Sequence, residues 1–307
     1  MAVIETHGLT RKFGNLTAVE NLDLEMQKGE VLGFLGPNGA GKTTTIRMLT
    51  GIISPTLGYA IVAGCRTDTH VEQLHEKIGL LTESPGFYDR LSAMLNLKFY
   101  AGFYSNIDMP VNIEKYLKML GLWDRRDDKV GTFSKGMKQR LALARALIHD
   151  PLVLFLDEPT AGLDPEAADT VRKFIKGFSE EGRTVFLSTH NLSEAEQLCQ
   201  KIAVFHTRLL AVDTPANLRA SLFRREVTVK LESIATKLLE TVKILPFIKK
   251  IRVDGNTIVA ELNNTEKDLP DLVQGIVQAG GRIAGVSEQQ HSLEEVYLTL
   301  VREEKEK

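Results

Sequence analysis

The sequence is short of several things, and each shortage excludes a class of protein. It has two cysteines, Cys65 and Cys199, far apart and in no CxxC pair. That excludes a disulfide scaffold and offers neither a zinc nor a redox motif. No apolar run approaches the ~18 residues of a membrane span; the densest, Leu152 to Leu156, stops at Asp157. The opening Met1-Ala2-Val3-Ile4-Glu5-Thr6-His7 has no basic stretch followed by an apolar one, so no signal peptide is expected. An excess of charge is missing too. The chain carries 38 Lys and Arg against 40 Asp and Glu, a net charge of −2, so nucleic acid is not an expected partner. What is present, 307 residues at 43% apolar and 25% charged, suits a soluble, cytoplasmic protein of about two domains.

The apolar pattern divides the chain. From Val3 to Gly36 it reads as short strands, ending in Val31-Leu32-Gly33-Phe34-Leu35 and a glycine cluster, after which Thr43 to Leu49 reads as helix. From about Glu72 to Asp150 the pattern is mostly helical. Strand character returns at Leu152–Leu156 and Thr184–Leu187, with a helix over Pro165–Phe178 between them. That βαβ order predicts a parallel sheet covered by helices. After about Arg225 a second style begins: strand, helix, a hairpin around Asp254-Gly255, helix, strand and a last helix opened by a capping box, Ser292-Leu293-Glu294-Glu295.

Gly36-Pro37-Asn38-Gly39-Ala40-Gly41-Lys42-Thr43 matches GxxxxGK[ST] between a predicted strand and helix. Glycines suit this loop because backbone N–H groups must close on phosphate oxygens without side chains in the way. Lys42 would reach the β- and γ-phosphates, the Thr43 hydroxyl would ligate Mg²⁺, and the helix N-terminus favours the anion. The bland alternative is a chance glycine turn.

Leu152-Val153-Leu154-Phe155-Leu156-Asp157-Glu158 is an apolar strand ending in two carboxylates. Asp157 suits a metal beside the phosphate loop, and Glu158 suits the attacking water; alone, the pair is also what any strand looks like where it meets solvent. Ser134, in Phe133-Ser134-Lys135-Gly136-Met137, suits a helix N-cap and equally a phosphate contact. Asp164-Pro165 suits an N-cap with proline at the first helical position. Six aromatics lie between Phe87 and Tyr104. They fit either the core of a small helical subdomain or a groove that receives a helix of a membrane partner.

The succession GPNGAGKTT, FSKGMKQR, LFLDEPTAGLDP and LSTHNLSEAEQL resembles the nucleotide-binding subunit of an ABC transporter over about residues 1–220. The four segments stand as that family's Walker A, signature, Walker B with D-loop, and H-loop, in the family's order. The resemblance implies an α/β P-loop NTPase cassette over 1–225. This has a parallel sheet core, an antiparallel β part and a helical subdomain at about 82–149. A C-terminal accessory domain of βαββαβ-like α+β form follows over 226–307. The resemblance also implies an Mg²⁺-dependent ATPase working as a dimer, with a second copy of the same subunit as the expected partner. ATP would be held by Gly36, Asn38, Gly39, Ala40, Gly41, Lys42, Thr43 and Thr44, with Phe13 against adenine. Ser134, Gly136 and Asp164 would act at the nucleotide shared with the second subunit. Thr43, Asp157 and Glu83 would serve the metal, and Glu158 and His190 the hydrolysis.

Two positions depart from the family. The signature reads FSKGM where LSGGQ is commonest, so Lys135 and Met137 differ, as in subunits similar to type-two exporters. Glu83 stands where a glutamine is usual. A transport role requires a separate integral membrane permease, which would hold the chain at the inner face of the cell membrane. Export is the expected direction. A non-transport ABC ATPase would carry two cassettes or long coiled coil, and an importer subunit an all-β extra domain; neither pattern is found in the sequence.

Overall fold

The computed structural model describes residues 2–84, 86–104, 108–222, 226–263, 265–289 and 292–305. The chain forms two compact units, Met1–Pro215 and Ala216–Glu306. The division expected after Arg225 falls at residues 223–225, outside the described residues.

The first unit is built on a six-stranded sheet. Its order is Arg208–Asp213, Lys201–His206, Val31–Leu35, Thr184–Thr189, Val153–Asp157 and Ile78–Leu81. The last five run parallel. Every residue of Val31–Leu35, Val153–Asp157 and Thr184–Thr189 is buried, which is why these strands read as continuous apolar runs rather than alternations. The Phe34 ring centroid lies 5.2 Å from that of Phe186 and 4.5 Å from that of Phe205. Burying each such ring stabilises the fold by roughly 1.5–3 kcal/mol. Register matters most for function. Leu35 pairs with Thr189 and Asp157 with Ser188, so three strands end side by side and release their loops at one edge of the sheet.

A four-stranded antiparallel sheet, ordered Leu16–Gln27, Ala2–Phe13, Leu57–Val62 and Cys65–Arg66, also belongs to this unit. Its first two strands have 12 residues each, longer than the short strands expected. Register shifts between Thr6 and Leu9 and between Leu9 and Arg11 reset the alternation, and Gly8 there has φ 55°. A bulged strand loses its period of two while its pairing continues.

The helical part contains Ala93–Ala101, Met109–Met119 and Lys135–Leu147. Leu97, Ile113, Tyr116, Leu117, Leu141 and Leu143 are buried there, while Tyr88, Phe99 and Phe103 are exposed. The core-forming reading of the Phe87–Tyr104 aromatics is therefore corrected for these three, because the aliphatic faces already fill the interior. Tyr100, Phe103, Tyr104, Arg145, Ile52 and Glu72 are among the residues lining a surface cavity of about 690 Å³.

The second unit is a four-stranded antiparallel sheet ordered Ile248–Asp254, Thr257–Leu262, Glu226–Leu231 and Ile283–Gln289. Val227, Val229, Ile258 and Ala260 form its core with Leu238, Val242, Leu272 and Ile276 of two helices. The capping box forms reciprocally: Ser292 N donates to Glu295 Oε2 at 3.0 Å, and Glu295 N donates to Ser292 Oγ at 3.2 Å. Among the described residues no helix is long and apolar enough to cross a membrane.

Candidate nucleotide-binding and hydrolysis site

The glycine loop leaves Val31–Leu35 and enters the helix Lys42–Leu49. A Cβ on Gly36 would stand 2.3 Å from Phe205 O, and one on Gly41, where φ is 102°, would stand 2.2 Å from Ala18 O. Backbone approaches this close admit only glycine. Lys42 is 6% exposed, and its ammonium donates to Gly36 O at 2.7 Å and Pro37 O at 3.1 Å. The long side chain thus folds back over its own loop.

Phe13, Asn38, Gly39, Gly41, Lys42, Thr43, Thr44, Glu83, Glu158 and His190 line one surface cavity of about 490 Å³. Residues from five separate stretches of sequence therefore converge on one cavity. Gly36 and Ala40 contribute to the loop but do not line the cavity. Ala40 is buried, and its carbonyl accepts from Thr207 N at 2.9 Å.

Asp157 ends its strand buried, and Ser188 Oγ donates to its Oδ1 at 2.5 Å. Glu158 has φ 49°, a left-handed conformation that a non-glycine residue adopts at a cost of roughly 1–2 kcal/mol. Its N–H is held by Ser188 O at 3.1 Å. This backbone turn aims the carboxylate back across the strand ends. Oε1 lies 3.1 Å from Lys42 Nζ, and Oε2 lies 2.8 Å from His190 Nδ1, which donates to it. The lysine contact is an ion pair without hydrogen-bond geometry, so Oε1 keeps unused acceptor capacity. One carboxylate thereby joins the phosphate-loop cation to the imidazole.

Phe13 is half exposed, with the Arg11 guanidinium 4.6 Å from its ring centroid. Ser134, Gly136 and Asp164 stand outside the cavity. Ser134 Oγ accepts from Met137 N at 3.2 Å and Asp164 Oδ1 from Ala167 N at 2.9 Å, so both cap helices. Gly136 packs where a Cβ would meet Ala167 Cβ at 2.7 Å. The signature segment and the start of the Pro165–Glu180 helix therefore touch, and Gln139 Nε2 adds a bond to Pro159 O at 2.9 Å.

Two residues near the site are not legible in the motif pattern. Ser188, which holds both Asp157 and the Glu158 N–H, hides within a strand. Glu194 accepts from Thr160 and Thr189, which stand beside Glu158 and His190 in the chain. Its only sequence signal is its place three residues after Asn191, a spacing that reads as ordinary helix capping.

Residues 19–161 match the ABC transporter family, and residues 214–301 match the family described as ATP-binding protein DrrA1-3-like, C-terminal domain. The chain is 33% identical to the bacitracin transport ATP-binding protein BcrA of Enterococcus faecalis, over 91% of this chain and 97% of that protein. It is 38% identical to a fluoroquinolones export ATP-binding protein of Mycobacterium tuberculosis, over 74% of this chain and 76% of that one. Among solved structures, an ATP-binding subunit of an ABC transporter superposes with a TM-score of 0.65 at 28% identity, covering 71% of this chain and 92% of the other.

Proposed function

The chain belongs to the ABC transporter ATP-binding family, and we propose that its phosphate-loop cavity is the site at which it hydrolyses ATP. It is an ATPase subunit, and subunits of this family work as dimers with membrane permease partners. The observation that carries the site assignment is the convergence of Lys42, Glu158 and His190 at 3.1 and 2.8 Å at the mouth of the glycine loop. In this reading the loop N–H groups and Lys42 bind the β- and γ-phosphates, and Phe13 offers a face to adenine. Glu158 takes a proton from the attacking water, and His190 orients the water and the γ-phosphate. Catalysis is chiefly positioning and charge stabilisation.

Thr43 and Asp157, with Glu83 nearby, offer hard oxygen donors, the kind Mg²⁺ takes when nucleotide phosphates complete its shell. Bound there, the ion would neutralise charge on the phosphates. Ser134, Gly136 and Asp164, which lie outside this cavity, would meet the nucleotide of a second copy. The cavity lined by Tyr100, Phe103 and Tyr104 would receive a helix of the permease and hold the chain at the inner membrane face. The strand-and-helix accessory domain and the export named for one relative support export over import. The test is ATPase assay of the Glu158→Gln variant, together with co-purification of the permease from detergent-solubilised membranes.

A further inference from the structure

Glu194 is 2% exposed, and among the described residues it has no ion pair. A buried carboxylate without a cation gives up its hydration, so its retention calls for compensating hydrogen bonds. Two are present. Thr160 Oγ1 donates to Oε1 at 2.7 Å, and Thr189 Oγ1 donates to Oε2 at 2.8 Å. Thr160 follows Glu158 by two residues, and Thr189 immediately precedes His190. The carboxylate therefore joins the stem of the loop carrying Glu158 to the stem of the loop carrying His190.

The local pattern sharpens the point. Asn191 caps the helix Leu192–Leu198, with Glu194 N donating to Asn191 Oδ1 at 3.1 Å. In an ordinary capping box the Glu194 carboxylate would accept from the Asn191 N–H. Here that N–H donates to Thr189 Oγ1 at 3.0 Å instead, so the hydroxyl stands between them and the carboxylate is released to reach Thr160. Thr189 also ends the strand paired with Leu35, and its carbonyl accepts from Gly36 N at 3.3 Å. The same anchor thus touches the start of the phosphate loop.

We infer that Glu194 is a positioning residue for hydrolysis, fixing Glu158 and His190 to one buried anchor so that they keep a common geometry. The inference rests on the proposed roles of those two residues. Misplacing reacting groups by about 1 Å lowers turnover on the order of 10²-fold. Steady-state kinetics, ATP affinity without turnover and thermal melting are measured on the full chain for Glu194→Gln, Thr160→Val and Thr189→Val. Each is expected to lower kcat by roughly 10–100-fold while KM and ATP affinity stay within about twofold.

The decisive readout is coupling. In a His190→Ala background the same changes should lower kcat much less, because one of the two anchored groups is already gone. Losses that multiply in full in that background, or that follow the fall in melting temperature, would overturn the inference, as would parental kcat in all folded variants. Should Glu194→Gln fail to fold, the two valine variants carry the test, since each removes one hydroxyl at nearly constant volume. Parental turnover in Glu158→Gln would instead overturn the proposed role of Glu158, an outcome separate from the coupling of Glu194 to His190.

Discussion

The Lys42 ammonium and the Glu158 carboxylate meet at 3.1 Å, with 6% and 12% of their side chains exposed. The cation proposed to bind phosphate thus lies against the carboxylate proposed to act on water. In the proposed reading, phosphate would compete with Glu158 for that ammonium. Glu158→Gln should lower turnover by about 10²–10⁴, the usual worth of a general base. ATP binding should be at least as tight as in the parent, since Lys42 no longer faces a competing carboxylate. The variant should also accumulate an ATP-bound dimer in size-exclusion chromatography. Turnover within about threefold of the parent would remove Glu158 from the role of base.

Lys42→Ala would remove the proposed charge contact to phosphate and should abolish measurable nucleotide affinity. It also leaves the partly buried Glu158 carboxylate without its lysine partner, so unfolding in denaturant should come earlier, by on the order of 1–3 kcal/mol. Adding Glu158→Gln should restore most of that stability and none of the affinity. A double variant as unstable as Lys42→Ala would show that the ion pair is not the cause.

Glu83 lines the phosphate-loop cavity and is exposed to it. If it serves the metal side of the site, Glu83→Gln should retain most activity, because the amide oxygen is still a donor, and Glu83→Ala should lose it. An ATPase titration with Mg²⁺ checks this. Equal activity in all three forms would mean that the site manages without this position.

His149 gives a pH dependence of stability. It is buried, stacked on Tyr104 at 4.0 Å, and its Nε2 donates to Ile78 O at 2.8 Å while Nδ1 has no partner. Burial holds the imidazole below its usual pKa of 6.5, with the bond to Ile78 opposing. The folded chain therefore refuses a proton that the unfolded chain accepts as pH falls. The contribution is fully present above the unfolded value and is lost on acidification through the folded one. Urea unfolding at about pH 7.5 and about pH 5.5 should show a smaller drop for His149→Gln than for the parent. Equal drops would assign the acid sensitivity to other groups.

The accessory domain carries a core of its own and no phosphate loop. A chain of residues 1–225 should bind ATP with nearly unchanged affinity, since every proposed phosphate ligand lies before His190. It should dimerise or turn over less well. Lost nucleotide binding in a folded truncation would mean that the second domain helps build the site. Unchanged rate and dimer population would leave it without a role in the ATPase cycle.

The sequence by itself determined the parts whose physics is local. The glycine loop was legible because its φ values and close backbone contacts demand glycine at fixed spacing, and Ser134, Asp164 and Ser292 because a cap and its target lie three residues apart. The βαβ order and the second unit's strands followed from short-range periodicity. Tertiary structure alone decided what meets what. Lys42 reaches Glu158 and Glu194 reaches Thr160 only because parallel strands pair Leu35 with Thr189 and Asp157 with Ser188. Strand register is a property of the whole sheet and leaves no mark at the residues it brings together. The same holds for the aromatics near Tyr104. Helical spacing shows that a face is apolar, but only the packing of neighbouring helices decides which apolar face is covered and which, like that of Phe99 and Phe103, stays open.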